Sequence, residues 1–448
     1  MKKQFMLINI WRVLVCTGIL WLFIVSSSFA AGPMKMAYGW STKTNEGEAV
    51  KEDLTMMQKV LGVNNPKLVT IFSTGAKYNQ NEVFQALRNR LKPEVRIWGL
   101  NSDIAGIAVP NGVHSGLSIM GFYSPGLVVG VGTAKLDWKN LGSYKKVGES
   151  AIQEAYKNAH KTKREPPKVI FFAGLNLITD IDIFQGVEDA VGQTTPIWGG
   201  NAGQSSGESK PGDGQCFSNN GVDGNCVSVA ALWMDSKVGV AYGYGYNENP
   251  KCSGIVTKAD INKRLIFTIN DRPAADVYNE WTGGKITNII KAGGGLNPLA
   301  VQGRYGFKKP IKEGISDYVL VGITSINPDK SVFMTHEGVE ERTKITLTEF
   351  ASEREFVQKP AVIATIARNR GAIPKENVAG ALFLYCYAQY YVAKEYKYDI
   401  KPTFALLSKS LMEKPFTGFF AGGEIGYSPQ GKNRMMAWST VIIVFGKN

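Results

Sequence analysis

Arg96-Ile97-Trp98-Gly99-Leu100-Asn101 and Pro196-Ile197-Trp198-Gly199-Gly200-Asn201 read as two copies of one glycine turn. Their flanks match as well. Leu68-Val69-Thr70-Ile71-Phe72 and Val169-Ile170-Phe171-Phe172 are strand-like runs ahead of the two turns. The segments EVFQALRNRL (82–91) and DIFQGVEDAV (182–191) carry helical periodicity between run and turn. Two more apolar runs follow each turn, at 117–123 and 127–134 in the first copy and at 227–233 and 238–245 in the second. A further helix-like stretch precedes each copy, at 49–61 and 148–160. A shared order with a shared Ile-Trp-Gly is the signature of an internal repeat. The sequence therefore predicts a mixed α/β fold with duplicated αβαββ-type units over 67–134 and 168–245.

The last third repeats this order faintly. A helix-like 362–368 leads to a strand at 381–387, a helix-like 404–413, a glycine turn at Gly422-Gly423, and a final strand at 438–445. Between lies a segment rich in turn signals, such as Asn249-Pro250, Gly283-Gly284 and Gly293-Gly294-Gly295. Strand-like runs at 265–269, 318–323 and 344–347 give it β character. The expected domains are 31–265, holding both repeats, and a related α/β domain at 266–448.

Residues 1–30 read as a signal peptide. Lys2, Lys3 and Arg12 precede an apolar run at 13–25, and Ser28 and Ala30 stand at −3 and −1 of a cut after Ala30. The run is shorter than the about 20 residues a spanning helix needs. No later segment is apolar enough to cross, so the expected address is periplasmic or secreted. Removing those three cations lowers the formal charge from +13 to +10. The remaining cations are scattered, without basic stripes interleaved with aromatics, which argues against nucleic acid as a partner.

Cys216, Cys226 and Cys252 are disulfide candidates in an oxidising compartment, Cys216 with Cys226 first, because that pair closes a short Gly/Asn-rich loop. No CxxC pair is present, and His114, His160 and His336 stand far from the cysteines in sequence, so no metal and no cofactor are expected. Gly203-Gln204-Ser205-Ser206-Gly207 matches the letters of a nucleophile elbow, but a Gly/Ser/Pro tract follows where a helix is required. A flexible loop is the better reading.

The order of these segments resembles the FIST sensory family over nearly the whole chain. The N-terminal FIST domain is matched over 66–265 by Pro196–Gly203 and Phe217-Ser218-Asn219-Asn220-Gly221, with the junction Ile255-Val256-Thr257-Lys258-Ala259 and the Asn270–Tyr278 stretch also similar. The C-terminal one is matched over 270–446 by Asn297-Pro298-Leu299, the strand bearing Cys386, and Gly423-Glu424-Ile425-Gly426. The resemblance implies a non-enzymatic module that senses a small polar ligand, amino acids among the candidates, and passes the signal to a partner such as a membrane receptor. The family tends to carry an arginine three residues after the strand cysteine, where this chain has Gln389.

The expected ligand-binding residues are therefore Trp98, Gly99, Asn101, Trp198, Gly199, Gly200, Asn201, Cys386, Gln389, Gly422, Gly423 and Glu424. The glycines let ligand approach backbone N–H groups closely, and Glu424, held between glycines, can receive a ligand ammonium. Each has a plainer reading, tight packing for the turns and core filling for Cys386. Two rival functions remain at this level: a hydrolase using Cys386 or Ser205, and an envelope scaffold.

Overall fold

The computed structural model describes residues 32–102, 106–137, 143–175, 180–202, 214–311, 318–334 and 338–448. The signal segment, Ser205 and His336 lie outside the described residues. Three α/β units and one β-barrel follow each other along the chain. The first unit comprises β1 (Lys35–Ser41), α1 (Glu46–Leu61), β2 (Leu68–Thr74), α2 (Gln80–Arg88), β3 (Arg96–Ser102), the hairpin β4 (Ile107–Val109) and β5 (Gly112–His114), β6 (Leu117–Tyr123) and β7 (Val128–Lys135). The second runs through α3 (Tyr144–Asn158), β8 (Val169–Gly174), α4 (Asp180–Val191), β9 (Ile197–Ala202), the hairpin β10 (Cys216–Ser218) and β11 (Gly221–Asp223), β12 (Cys226–Trp233) and β13 (Val238–Tyr244).

The chain then makes a separate barrel before returning. Its elements are β14 (Tyr246–Asp260), β15 (Leu265–Ile269), β16 (Arg272–Pro273), α5 (Ala274–Trp281), α6 (Thr287–Lys291), β17 (Gly295–Leu296), α7 (Leu299–Gln302), β18 (Tyr305–Pro310), β19 (Tyr318–Ile326), β20 (Val332–Met334) and β21 (Lys344–Phe350). The strands run in the order β14-β21-β18-β19-β20-β15, and β15 pairs back onto β14, which closes the sheet on itself. Closure removes the exposed edges. The core of this barrel, with Tyr278, Phe307 and Val321, is a cluster of its own. The expected break near 265 falls inside the paired β14–β15 hairpin, because closure needs both strands.

The third unit is α8 (Glu353–Arg370), β22 (Val378–Cys386), α9 (Tyr387–Glu395), α10 (Lys401–Ser410), β23 (Phe416–Tyr427), β24 (Asn433–Met436) and β25 (Ser439–Gly446). Its first helix opens with a capping box in which Ser352 and Glu355 satisfy each other's backbone N–H groups. The faint third copy in the sequence is thus a full unit, and the duplication is a triplication.

Pairing joins the three units cyclically. In each, the first parallel strand sits beside the second: β2 with β3, β8 with β9, β22 with β23. On its other side lies β6, β12 or β25, and beyond that a strand from before the unit's first helix, β1, β7 or β13. The hairpins are exchanged. The β10–β11 hairpin of the second unit pairs with β3, the end of β23 with β24 pairs with β9, and β4–β5 of the first unit pairs with β23. Each unit therefore completes its neighbour's sheet, and none is whole alone.

The registers fix which residues are equivalent. Ile71 faces Gly99, Phe172 faces Gly199, and Phe383 faces Gly418 across the parallel pairs. A methyl group at any of these three glycines would overlap the carbonyl oxygen of the residue it faces. The Ile-Trp-Gly segments are accordingly mid-strand positions of close backbone approach, and the turn expected from sequence is not there. Gly418 holds the third copy of this role, while Gly422-Gly423 forms a bulge further along β23.

The inner faces pack a shared aromatic centre. Trp98 and Trp198 have ring centroids 6.3 Å apart, and Phe171 packs on both. Phe122 and Phe445 join them, which brings strands of all three units into one core. Burying rings of this size supplies much of the driving force for assembly.

The outer layer of the first unit holds an anomaly. Asp53 on α1 is fully buried among apolar neighbours, and neither carboxylate oxygen has a hydrogen-bond partner. Burial, and then the charge of Glu52, push its pKa well above the usual carboxylate range. The folded state holds this proton where the unfolded state, with a pKa of about 3.9, has lost it. Asp53→Asn should therefore gain on wild type in stability as pH rises from about 4 toward neutral. Urea midpoints at acid and neutral pH check this, and a constant difference between the two proteins would contradict it.

Candidate functional site

Polar side chains are distributed unequally over the three equivalent corners at the C-terminal ends of β2, β8 and β22. The registers place Thr74, Ile107 and Gly116 at the first corner and Leu175, Cys216 and Cys226 at the second. At the third stand Cys386, Glu424 and Ser439. The same backbone frame thus carries a hydroxyl in the first copy, two thiols in the second, and a thiol beside a buried carboxyl in the third. Such a departure is what a functional site leaves in a repeated scaffold.

Glu424 is fully buried. Its Oε2 accepts hydrogen bonds from Ser439 N (3.1 Å) and Ser439 Oγ (2.9 Å). Its Oε1 has no partner in hydrogen-bonding geometry. Burial raises the carboxyl pKa to about 8, against the opposing pull of the Ser439 backbone N–H, the Ser439 hydroxyl and the neighbouring Cys386 thiol. That thiol is placed to hydrogen-bond the carboxyl, while no bond of full geometry reaches Oε1. At neutral pH Glu424 is mostly protonated.

Cys386 ends β22 and is the residue from which α9 starts. Burial pushes its thiol well up, and the Glu424 carboxyl adds to that; the backbone N–H groups of Ala388, Gln389 and Trp438 at the sulfur act the other way. Gln389 is buried, and its side-chain amide donates to the Trp438 carbonyl. Tyr246 closes the corner from the start of the barrel, its hydroxyl donating to Gly303 O at 2.5 Å. Burial, then Cys386, Tyr385 and Glu424, drive the Tyr246 pKa far above its ordinary value. The corner thus holds a neutral acid, a neutral thiol and a neutral phenol in a dry setting.

The expected site residues divide into two groups. Cys386, Gln389 and Glu424 meet at this corner, and Gly200 is the cross-strand partner of Glu424. Gly199 is opposite Ile425, and the Gly422-Gly423 bulge runs beside Gly200. Trp98 and Trp198 are instead packed in the aromatic centre. Gly99 lies in the sheet completed by β10. Asn101 is buried and clamps the chain before β10, exchanging hydrogen bonds with the Gln215 backbone through its own N–H (3.1 Å) and Oδ1 (2.7 Å). Asn201 is buried at the end of β9. Ser439, Trp438 and Tyr246 complete the corner, and nothing in a single sequence marks them.

The disulfide expectation is corrected. Cys216, Cys226 and Cys252 carry free thiols. In the β10–β11 register Cys216 lies opposite Asp223, so the loop is closed by a backbone ladder. Its thiol donates to Ala173 O (3.4 Å) in the core, and that of Cys226 to Asp223 O. Among the described residues no cluster of metal-binding side chains is present, and no helix is long and apolar enough to cross a membrane.

A wide groove lies elsewhere. An open groove of about 650 Å³ lies at the opposite end, by the starts of β8 and β9, lined by Lys161, Lys168, Pro196, Trp233 and Asp235 among others. Size alone would favour it. None of the residues lining it has a buried polar side-chain atom without a partner, and Lys161 is already paired with Glu165. The corner has the orphaned carboxylate oxygen, and chemistry outweighs volume here. A second cavity, of about 10 Å³, is lined by Tyr385, Ile400, Thr403, Phe404 and Phe420. That is room for about one water.

Three exchanged α/β units with one polarised corner, joined to a closed β-barrel, are the class of molecule that this geometry defines. The chain belongs to the FIST family: residues 67–272 match the FIST N domain and 274–427 the FIST C domain. FIST domains are sensory modules that bind small ligands. Among curated proteins none matches the sequence. Among solved structures, a cyanuric acid hydrolase from A. caulinodans is 10% identical over 47% of this chain and 72% of its own, with a TM-score of 0.27. A second cyanuric acid hydrolase structure, described as an evolutionary innovation by structural concatenation, is 8% identical over 93% of this chain and 100% of its own, with a TM-score of 0.34. Scores this low carry no argument about shared fold or chemistry.

Proposed function

We propose that the protein is an extracytoplasmic, non-enzymatic sensor that binds a small polar ligand, amino acids among the candidates, at the Cys386–Glu424 corner. The observation that carries this reading is the buried Glu424 carboxyl, with one oxygen satisfied by Ser439 and the other unpartnered. A buried polar atom without a partner is costly, and a ligand amine offers the missing donor. The ammonium would take the proton's place against the carboxylate, a charge-assisted bond in a dry site. Export rests on the three-zone N-terminus, with the cut after Ala30. Output would pass to a separate envelope partner or membrane receptor. A Cys386 hydrolase is disfavoured because burial keeps the thiol protonated; Ser205 lies outside the described residues.

A thermal-shift screen of the mature protein against amino acids, small amines and carboxylates tests the reading. A ligand at a hundred times its dissociation constant adds about 2.7 kcal/mol, seen as a shift of a few degrees. The shift should come from amine-bearing compounds and vanish in Glu424→Ala. A shift that survives in that variant places the ligand elsewhere.

A further inference from the structure

We infer that Trp438 couples the Cys386–Glu424 corner to the β-barrel, so that a change at the corner is delivered to β18 and β19. This rests on the sensor reading for its purpose, although the coupling itself is a property of the fold.

The backbone of Trp438 belongs to the corner. Its N–H points at Cys386 Sγ, its carbonyl accepts from Gln389, and Ser439, the next residue, holds Glu424. Its side chain belongs to the barrel. Gly306 and Gly322 are cross-strand partners on β18 and β19, and together they present a face without side chains. The Trp438 indole lies on that face: a methyl on Gly322 would overlap its six-membered ring, and one on Gly306 would come within 3.1 Å of it. Tyr246 stacks on the same indole, with centroids 6.1 Å apart. One residue therefore has its backbone fixed by the corner and its ring fixed by the barrel.

The backbone of Trp438 is also unusual. Its φ is +56°, in the left-handed region that bulky side chains avoid. By register, Ser115 and Asn225 stand at the equivalent places in the other two units, and neither has a positive φ. Among the three equivalent places, the kink occurs where the corner carries a carboxyl and the barrel is attached. Strained backbone of this kind persists when surrounding contacts over-determine it, and it is a natural place for two alternative conformations. Repositioning of Glu424 against a new partner would pull on Ser439, and Ser439 is joined directly to the kink.

Hydrogen exchange on the full mature chain, read by mass spectrometry, tests the coupling with Glu424→Ala, which removes the acceptor of both Ser439 bonds, as the perturbation. Exchange in β18 and β19 should rise about threefold or more while β16 and α5 remain unchanged. In a Trp438→Phe background, where the ring no longer reaches Gly322, Glu424→Ala should leave β18 and β19 within about 1.5-fold. Gly322→Ala attacks the same contact from the barrel side and keeps the test open if Trp438→Phe does not fold. It should raise β18–β19 exchange by itself and abolish any further effect of Glu424→Ala. An effect of Glu424→Ala that is equally large in both backgrounds, or absent from the otherwise wild-type chain, overturns the coupling. The readout uses no ligand, so its failure is separate from failure of the thermal-shift screen.

Discussion

Gly418→Ala is expected to destabilise the protein by about 3 kcal/mol or more, because the added carbon lands on the carbonyl of Phe383. The obstacle is backbone in the neighbouring parallel strand, so no rotamer change relieves it, and β22 and β23 must separate. The sheet bound by β23 on its other face, through β4, would be disturbed as well. Gly99→Ala and Gly199→Ala should cost similar amounts, since Ile71 and Phe172 stand where Phe383 does. Gly47→Ala is the control: it sits in the first turn of α1 with only the Asn45 side chain nearby, and should gain up to about 1 kcal/mol. Urea midpoints of the four variants check the set. A Gly418→Ala protein as stable as wild type, beside strongly weakened Gly99→Ala and Gly199→Ala, would refute the equivalence of the third unit.

The second large effect is a pH slope that belongs to Glu424. In the folded state this carboxyl keeps its proton to about pH 8, whereas in the unfolded chain it releases it near pH 4.3. Between these values the folded state binds more protons than the unfolded state. Stability from this group is therefore complete below about pH 4.3 and falls as pH rises, by up to about 1.4 kcal/mol per unit, until it is gone above about 8. Glu424→Gln has no such proton to lose. The stability difference between wild type and Glu424→Gln should move by about 4 kcal/mol against wild type from pH 4.5 to pH 8. Asp53 contributes a slope of the same sign to both proteins and cancels in the difference. Parallel curves would mean that Glu424 ionises normally, and the site would lose its main chemical feature.

How much of this was legible in the sequence follows from which residues carry it. Two units could be read because each kept Ile-Trp-Gly and the apolar runs around it. The third was faint because Thr417 replaces the tryptophan and Phe420 the asparagine at the register-equivalent positions. The inserted barrel of 246–350 also separates it from the second unit. Hairpin exchange was not readable at all. Which strand β4, β10 and the end of β23 join is decided by contacts over long chain separations, and no local pattern encodes it.

The site was half legible. Glu424 stood out as a carboxylate among glycines, and Cys386 as a cysteine in an aromatic strand. Trp98 and Trp198 attracted the same attention for a different reason, since the largest side chains of a repeat mark its core. Ser439 and Trp438 look like the start of an ordinary final strand, and their roles arise from the kink at Trp438 and the hydrogen bonds from Ser439 to Glu424. The disulfide expectation failed on register, because sequence spacing placed Cys216 near Cys226 without showing that Asp223 would stand opposite it.

Proton release on ligand binding tests the central claim most directly. Calorimetry at pH 6.5 in two buffers of different ionisation enthalpy, using an amine identified by the thermal-shift screen, reports the number of protons exchanged. Glu424 is protonated at that pH, so pairing it with an ammonium should expel close to one proton per ligand in wild type and none in Glu424→Gln. Binding without proton release, or a release unchanged in Glu424→Gln, would contradict a ligand site built on this carboxyl.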